Sequence, residues 1–309
     1  MELRSRRYPA IAAARMTTQE QGNLKGLVTT DDLPPGAGTT WNSPKVGTFS
    51  AFSLTQGVDM AQQQQLTATN VVITPAEVGV QTVFTQKSLA QWSENMQTKA
   101  GQVMRQAMDR KEDADIGGLA SSLSQYTALG ANATVMTVGH LAAAFSTLKA
   151  GINTGGVAIA AGAVNQPVPP GPIYGAFRPE TLANVSRGLV GGPMTGTVGT
   201  ASIGANGAAG SLQSEALDSW FVGRIAGVDL YSNANFAKNA SDGANTMVFH
   251  KDSLVFVEEP HEMAAGNIMI EEDVSLRSIE LNMVEDYGFG VLDAHYGLEM
   301  TFNAAPITS

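Results

Sequence analysis

The sequence predicts an α+β fold, on three observations. Residues 88–125, SLAQWSENMQTKAGQVMRQAMDRKEDADIGGLASSLSQ, place apolar residues at three- and four-residue steps over a long stretch without proline. Residues 46–86 hold two stretches rich in Val, Thr, Ile and Phe on either side of a polar GVDMAQQQQ, the pattern of extended arms around a tip. Near the end of the chain Tyr296, Leu298, Met300 and Phe302 alternate with Gly297, Glu299 and Thr301, as a strand with one buried face requires.

In chain order, residues 1–45 have no sustained period, and LVTTDDLPPGAGTTWNSP is rich in residues that favour turns and extended backbone. Such an arm cannot bury enough of itself to be stable alone. It is either disordered or laid across another surface, and the lone indole of Trp41 favours the second. The hairpin of 46–86 follows, its glutamine tract marking an exposed loop. Two-stranded ribbons are marginal in water, so its support must lie outside itself.

The helix of 87–125 has one apolar face, formed by Leu89, Trp92, Met96, Ala100, Val103, Met104, Ala107 and Met108 and resumed by Ile116, Leu119 and Leu123. Ser88 is placed to cap its start. At about 1.5 Å per residue it would span roughly 55 Å. Bends are expected at Gly101 and at Gly117-Gly118.

A polar connection from Tyr126 to Met136 leads to a second helix, capped by Thr137, with Leu141, Ala144, Phe145 and Leu148 inward and Gly151 at its end. A Gly- and Pro-rich stretch resolves into the strand Ile173 to Phe177, and Pro179 sits in the first turn of a third helix. Residues 188–210 read as an open loop, 211–221 as a short helix, and 222–233 as a strand pair bent at Gly227. MVFHKDSLVFVEEP reads as one buried strand stopped by Pro260. Residues 267–286 are expected to pair with 288–302 in a terminal hairpin joined at Asp286-Tyr287-Gly288. In its first arm Ile268, Ile270, Val274 and Leu276 are even while Ile279, Leu281 and Met283 are odd, a parity change that predicts a bulge near Arg277.

The 309 residues suffice for one large or two modest domains. Charged residues, at 15%, fall well below the usual quarter and glycine is raised to 33 residues, which points to surface covered by other subunits. A net charge of −10 argues against a broad basic face for nucleic acid. The absence of cysteine excludes disulfides, thiolate catalysis and thiolate metal sites. No apolar run is long enough for a membrane helix. Arg4, Arg6, Arg7 and Arg15 give the start a basic character, but the apolar part, Ala10 to Ala14, is too short for a secretory core, so a basic arm is expected rather than a leader.

This order resembles the major capsid proteins of tailed double-stranded DNA phages, the Hong Kong 97-type fold, along nearly the whole chain. The phrases most similar to that family are IYGAFRPETLANV, GRIAGVDLYSN followed by MVFHKDSLVFV, and ELNMVEDYGFGVLDAHYGLEM. The resemblance implies an N-terminal arm (1–45), an E-loop hairpin (46–86), a peripheral domain with a spine helix (87–130), an α/β axial domain (131–257) and a return to the peripheral domain with a terminal β-hairpin (258–309). It implies a structural protein without catalytic activity, assembling as hexamers and pentamers into an icosahedral shell of the virion, built in the host bacterial cytoplasm.

Expected partners are further copies of the chain, a separate scaffolding protein, a portal, a decoration protein where one exists, and packaged DNA touched weakly and without specificity. No membrane is expected. Subunit-interface candidates are Arg4, Arg6, Arg7, Trp41, Phe49, Phe52, Leu54 and Trp92, and deleting residues 50–70 is expected to leave a folded subunit that no longer makes shells. Lys45 and Lys87 flank the hairpin but its tip has no lysine, so cross-links of the kind some relatives make are not expected.

Two other readings are an encapsulin-like nanocompartment shell and, from a different class, an α/β enzyme with a β-rich appendage. For the enzyme the chemistry is missing. His261-Glu262 begins an H-E-x-x pattern, but Ala265 stands where a zinc site needs histidine. No G-x-S-x-G or P-loop occurs, and GANGAAG lacks a dinucleotide fingerprint. Glu258-Glu259 and Glu271-Glu272-Asp273 read as solvated acidic faces, with a divalent ion as the lesser alternative. No cofactor or metal is expected.

Overall fold

The computed structural model describes residues 22–34, 36, 38–47, 49, 51, 53–57, 59, 63–66, 68–91, 95–126, 128–150, 168–191, 221–259 and 265–306. Of the predicted loop of 188–210, residues 188–191 instead continue a helix and the rest lie outside the described residues; so do the predicted short helix of 211–221, apart from Phe221, which opens a strand, and the His261-Glu262 motif.

The helical stretch starts at Gln86. Thr85, not Ser88, caps it: its Oγ1 accepts from the Ser88 backbone N–H at 3.3 Å, and the Ser88 hydroxyl donates back to the Thr85 carbonyl at 2.7 Å. Helix α1 covers Gln86–Gln91 and α2 covers Asn95–Gly118; a 3₁₀ turn, Leu119–Ser122, follows. The α-helix thus ends at the predicted glycine pair. Gly117 has a packing reason, because a Cβ there would come within 3.1 Å of the Phe236 ring. Met104, Met108 and Ile116 are buried as the stripe predicts.

Two larger sheets and a ribbon carry the strands. The five-stranded sheet runs β1 (Thr29–Asp32), β10 (Leu254–Glu258), β12 (Ser278–Val291), β11 (Ala265–Asp273), with β4 (Ala76–Thr85) on the other edge of β12. Helix α2 lies on this sheet: Met104 and Met108 pack with Phe84, Leu281 and Met283. The six-stranded sheet has the order β5 (Leu129–Gly130), β13 (Gly297–Asn303), β9 (Gly243–Phe249), β6 (Ile173–Phe177), β8 (Val228–Ser232), β7 (Phe221–Ile225). Helices α3 (Val138–Ala150) and α4 (Pro179–Gly191) pack on one of its faces through Leu141, Leu148, Leu182 and Val185. At the start of α3 the His140 Nδ1 accepts from the Thr137 backbone N–H at 3.1 Å and lies 2.9 Å from the Thr137 hydroxyl. The other face meets the end of α2 and residues 24–28 in a second core, which includes Met247, Phe249, Phe256 and Tyr287.

The turn between β7 and β8 has Ala226 and Gly227 at φ +52° and +86°, the conformation that a two-residue hairpin needs. The Phe145 ring lies within 2.6 Å of where a Cβ on Gly227 would stand, so both shape and backbone require glycine.

Three expectations are corrected. MVFHKDSLVFVEEP is two strands, β9 and β10, in different sheets. They are separated by a 3₁₀ turn at Lys251–Ser253, in which the His250 side chain accepts from the Asp252 N–H. Both strands are covered on both faces, which is why neither shows the alternation that would have revealed the break. The hairpin near the C-terminus is β11–β12, turning at 274–277, and β12 runs straight through Asp286-Tyr287-Gly288; β13 pairs instead with β9. The parity change is therefore that turn, with Arg277 at φ +48°, rather than a bulge. Finally, the ribbon is β2 (Trp41–Val46) against β3 (Ala68–Ile73), so it begins five residues earlier than expected, and β4 leaves it to join the five-stranded sheet.

The described part of the N-terminal arm lies across the chain's own surface. Leu24, Leu27 and Val28 are buried, and β1 pairs in parallel with β10. The buried Asp113 of α2 ties it down, accepting from the backbone N–H groups of Asn23 and Leu24 at 3.1 and 2.9 Å and from the side chains of Asn233 and Asn235. A Cβ on Gly22 would lie 2.8 Å from the Asp109 carbonyl, so the chain enters this contact only as glycine.

Candidate assembly surfaces

The β2–β3 ribbon is fixed at its base. Trp41 is half-buried against Leu33, Ile73, Val255 and Val257, and its indole N–H donates to Asp31 at 2.9 Å. Lys45 forms an ion pair with Asp293 at 2.7 Å. Burial alone would raise the Asp293 pKa, but the hydrogen bonds from Lys45 and His295 hold it below the usual carboxylate value. Lys45 is thus engaged within its own chain. Gly288 and Gly290 leave room for Ile73, whose side chain would lie 2.6 and 2.9 Å from a Cβ at either position.

Beyond the base the ribbon bares apolar groups. Phe49 is 54% exposed and Leu54 66%, with Val46, Leu66 and Val72 also more than half exposed. Folded monomers seldom leave so many large apolar side chains along one projecting element. Pro44 within β2 has no N–H to offer a ladder, so it is suited to a strand at an edge.

A second exposed apolar group occupies the β11–β12 turn. Val274 is 80% exposed, Ile270 69% and Leu276 65%. The turn is rigid, since Asp273 accepts from the Ser275 N–H and hydroxyl at 2.8 and 2.6 Å and from the Leu276 N–H at 3.0 Å. Those bonds hold the Asp273 pKa low. The sequence candidates omitted this tip. Its signal was the even-to-odd parity change, which marks residues that leave the buried register. The sheet face opposite α2 is polar and acidic, with Glu77, Gln81, Glu271, Glu280 and the half-exposed Val83 on it.

Of the sequence candidates, Trp41 anchors the ribbon to its own subunit, whereas Phe49 and Leu54 project from it. Arg4, Arg6, Arg7, Phe52 and Trp92 lie outside the described residues. Among the described residues no three His, Asp or Glu side chains are arranged to hold a metal ion, and no helix is long and apolar enough to cross a membrane. His140, His250 and His295 all serve as local caps or turn partners.

The α+β fold of this chain is similar to those of solved phage capsid structures. The chain matches the head structure of Helicobacter pylori bacteriophage KHP40 with a TM-score of 0.65 at 9% identity, covering 94% of each chain. It matches the capsid of Ralstonia phage GP4 with a TM-score of 0.62 at 10% identity, covering 96% of this chain and 94% of that one. The capsid of cyanophage P-SCSP1u gives 0.61 at 14% identity, with 95% and 92% covered. No protein-family model matches the sequence, and no curated protein does. What is shared is the fold, end to end, with almost no sequence.

Proposed function

We propose that this chain is the major capsid protein of a tailed double-stranded DNA phage, a non-catalytic subunit that assembles as hexamers and pentamers into an icosahedral shell. The observation that carries the reading is the fold shared with phage heads over 94–96% of the chain. In this reading the ribbon and its loop are the E-loop, reaching over a neighbouring subunit, and α2 is the spine helix. The five-stranded sheet and α2 form the peripheral domain. The six-stranded sheet with α3 and α4 forms the axial domain, whose loops gather at capsomer centres. Phe49, Leu54 and the β11–β12 tip bury their exposed apolar groups against other copies, and many modest contacts repeated by symmetry hold the shell.

The basic residues Arg4, Arg6, Arg7 and Arg15 pair with acidic residues of adjacent subunits, and an acidic inner wall lets DNA pack without sticking. A separate scaffold, a portal and any decoration protein complete the particle, which is built in the bacterial cytoplasm.

Electron microscopy of the expressed protein, alone and with its neighbouring genes, tests this. Closed shells large enough for a phage genome are expected. Small uniform shells around a second protein would replace the reading with a nanocompartment, and a stable monomer under both conditions would overturn shell formation.

A further inference from the structure

Between α2 and β12 two buried carboxylates share their nearest cations with other, more exposed acids. Glu112 of α2 and Glu285 of β12 are 3% and 2% exposed and lie beside each other in the helix–sheet interface. Arg105 is shared between Glu285 and Asp109, and Lys25 between Glu112, at 3.6 Å, and Glu258, at 3.2 Å. Lys25 also lies 4.5 Å above the Phe256 ring, a second claim on its charge. Two cations therefore serve four carboxylates. The next cation along α2, Lys111, is taken by Asp115, which also accepts from the Tyr287 hydroxyl at 2.8 Å, and Asp113 is occupied by Asn23, Leu24, Asn233 and Asn235. β4 sets the apolar Val78 opposite Glu285.

Glu112 Oε1 and Glu285 Oε2 are both buried and accept no hydrogen bond from any described donor. Two ionised carboxylates would leave both acceptors bare in a medium of low polarity, which is costly. A single proton removes the conflict, turning one group into the donor that the other lacks.

We propose that Glu112 and Glu285 hold one proton between them and that this acid–carboxylate pair is a pH-sensitive clasp joining the long helix to its sheet. Glu112 is the protonated member. Burial, then the contact with Glu285, raises its pKa to about 8 from an ordinary 4.5, and Lys25 and Arg105 only partly offset this.

The direction follows. The folded chain binds the proton more tightly than the unfolded chain, so the clasp is closed at acid and neutral pH. Stability is lost as pH rises from 4.5 towards about 8, and levels off above that. Loss of the proton sets two negative charges against each other beside Met104, Met108, Leu281 and Met283, and loosens the helix on the sheet. This holds whether or not the chain builds a shell. In a shell it would make wall stiffness depend on pH.

The test is chemical unfolding of the purified full-length chain across that pH interval, native beside Glu112→Gln. The amide keeps a donor for Glu285 but has no proton to lose. The native unfolding constant is expected to rise with pH by up to about tenfold per unit, the signature of one proton released. Glu112→Gln should flatten that rise, while Asp109→Asn, on the same helix but outside the pair, should retain it. An equally steep profile in Glu112→Gln would overturn the clasp. Infrared difference spectroscopy of the native chain beside Glu112→Gln gives a second reading; because burial also raises the carboxyls of Asp113 and Glu299, the band that counts is the one the variant lacks. A protonated side-chain carboxyl in the native chain at neutral pH, vanishing above about 8, supports the proposal; its absence at neutral pH refutes it.

Discussion

Strand β10 and the β2–β3 ribbon differ in where their partners come from. β10 is enclosed: Leu254 and Phe256 enter one core, Val255 and Val257 another, and β1 and β12 occupy its two edges. The ribbon has one ladder, a fixed base and exposed apolar residues beyond it. The enclosed strand draws its stability from its own chain, whereas the ribbon leaves its apolar side chains for another surface to cover. On the proposed function, folding and assembly fall to separate parts of one polypeptide.

Substitutions should separate the two. Phe256→Ala, at a site 1% exposed and stacked on Tyr287 at 5.3 Å, should cost about 3–5 kcal/mol of folding stability in denaturant titration. A loss below about 1 kcal/mol would mean that this core is not what holds β10. The ribbon should behave oppositely. The deletion of 50–70 foreseen from sequence would cut into β3. Replacing residues 47–67 by an Asn-Gly turn instead keeps every ladder pair from Trp41↔Ile73 to Val46↔Ala68. That variant should unfold within about 1 kcal/mol of the native chain yet form no closed shells by electron microscopy. Normal shells would remove the ribbon from the assembly surface.

The hairpin tip is a milder case. Val274→Asp should alter stability by no more than about 0.5 kcal/mol, since the side chain is 80% exposed, while lowering the yield of shells in sedimentation. Unchanged yield would confine assembly contacts to other elements.

At the ribbon's base a small effect on folding and none on shell yield is expected: Lys45→Ala should cost about 0.5–1 kcal/mol, the ordinary range for a partly exposed pair. Its sign with pH is fixed. Asp293 is held below its ordinary 3.8, so its contribution is present above that value and is lost as pH falls through the depressed one. Removing Lys45 should move acid unfolding to higher pH, and an unmoved acid limb would show that the pair contributes nothing.

Much of this was legible in the sequence where a local rule decides it. The strand Ile173–Phe177, Pro179 at a helix start, a helix opening after Thr137 and the turn at Gly227 all follow from propensity, capping or backbone freedom, whereas Gly117-Gly118, expected as a bend in a helix reaching Gln125, ends the α-helix. The exposure of Phe49 and Leu54 was legible because nothing nearby in sequence could bury them.

Pairing was not legible, because it depends on what lies beside a strand rather than on what is in it. A continuous apolar run from Met247 to Val257 says that both faces are covered, but not that the chain changes sheets at His250. Sequence periodicity also treats Glu112 and Asp113 as the polar side of a helix. Only the tertiary structure sets residues 23–25 and β12 against that side and so buries it.

By itself, then, the sequence determined most element types and their order and pointed to outside partners, since helix period, strand alternation and scarcity of charge are properties of neighbouring residues and composition. The tertiary structure alone decided which strands pair, where the N-terminal arm lies and which carboxylates lose their water, because those depend on groups brought together across up to 200 or so positions of chain, where register and burial are set by packing.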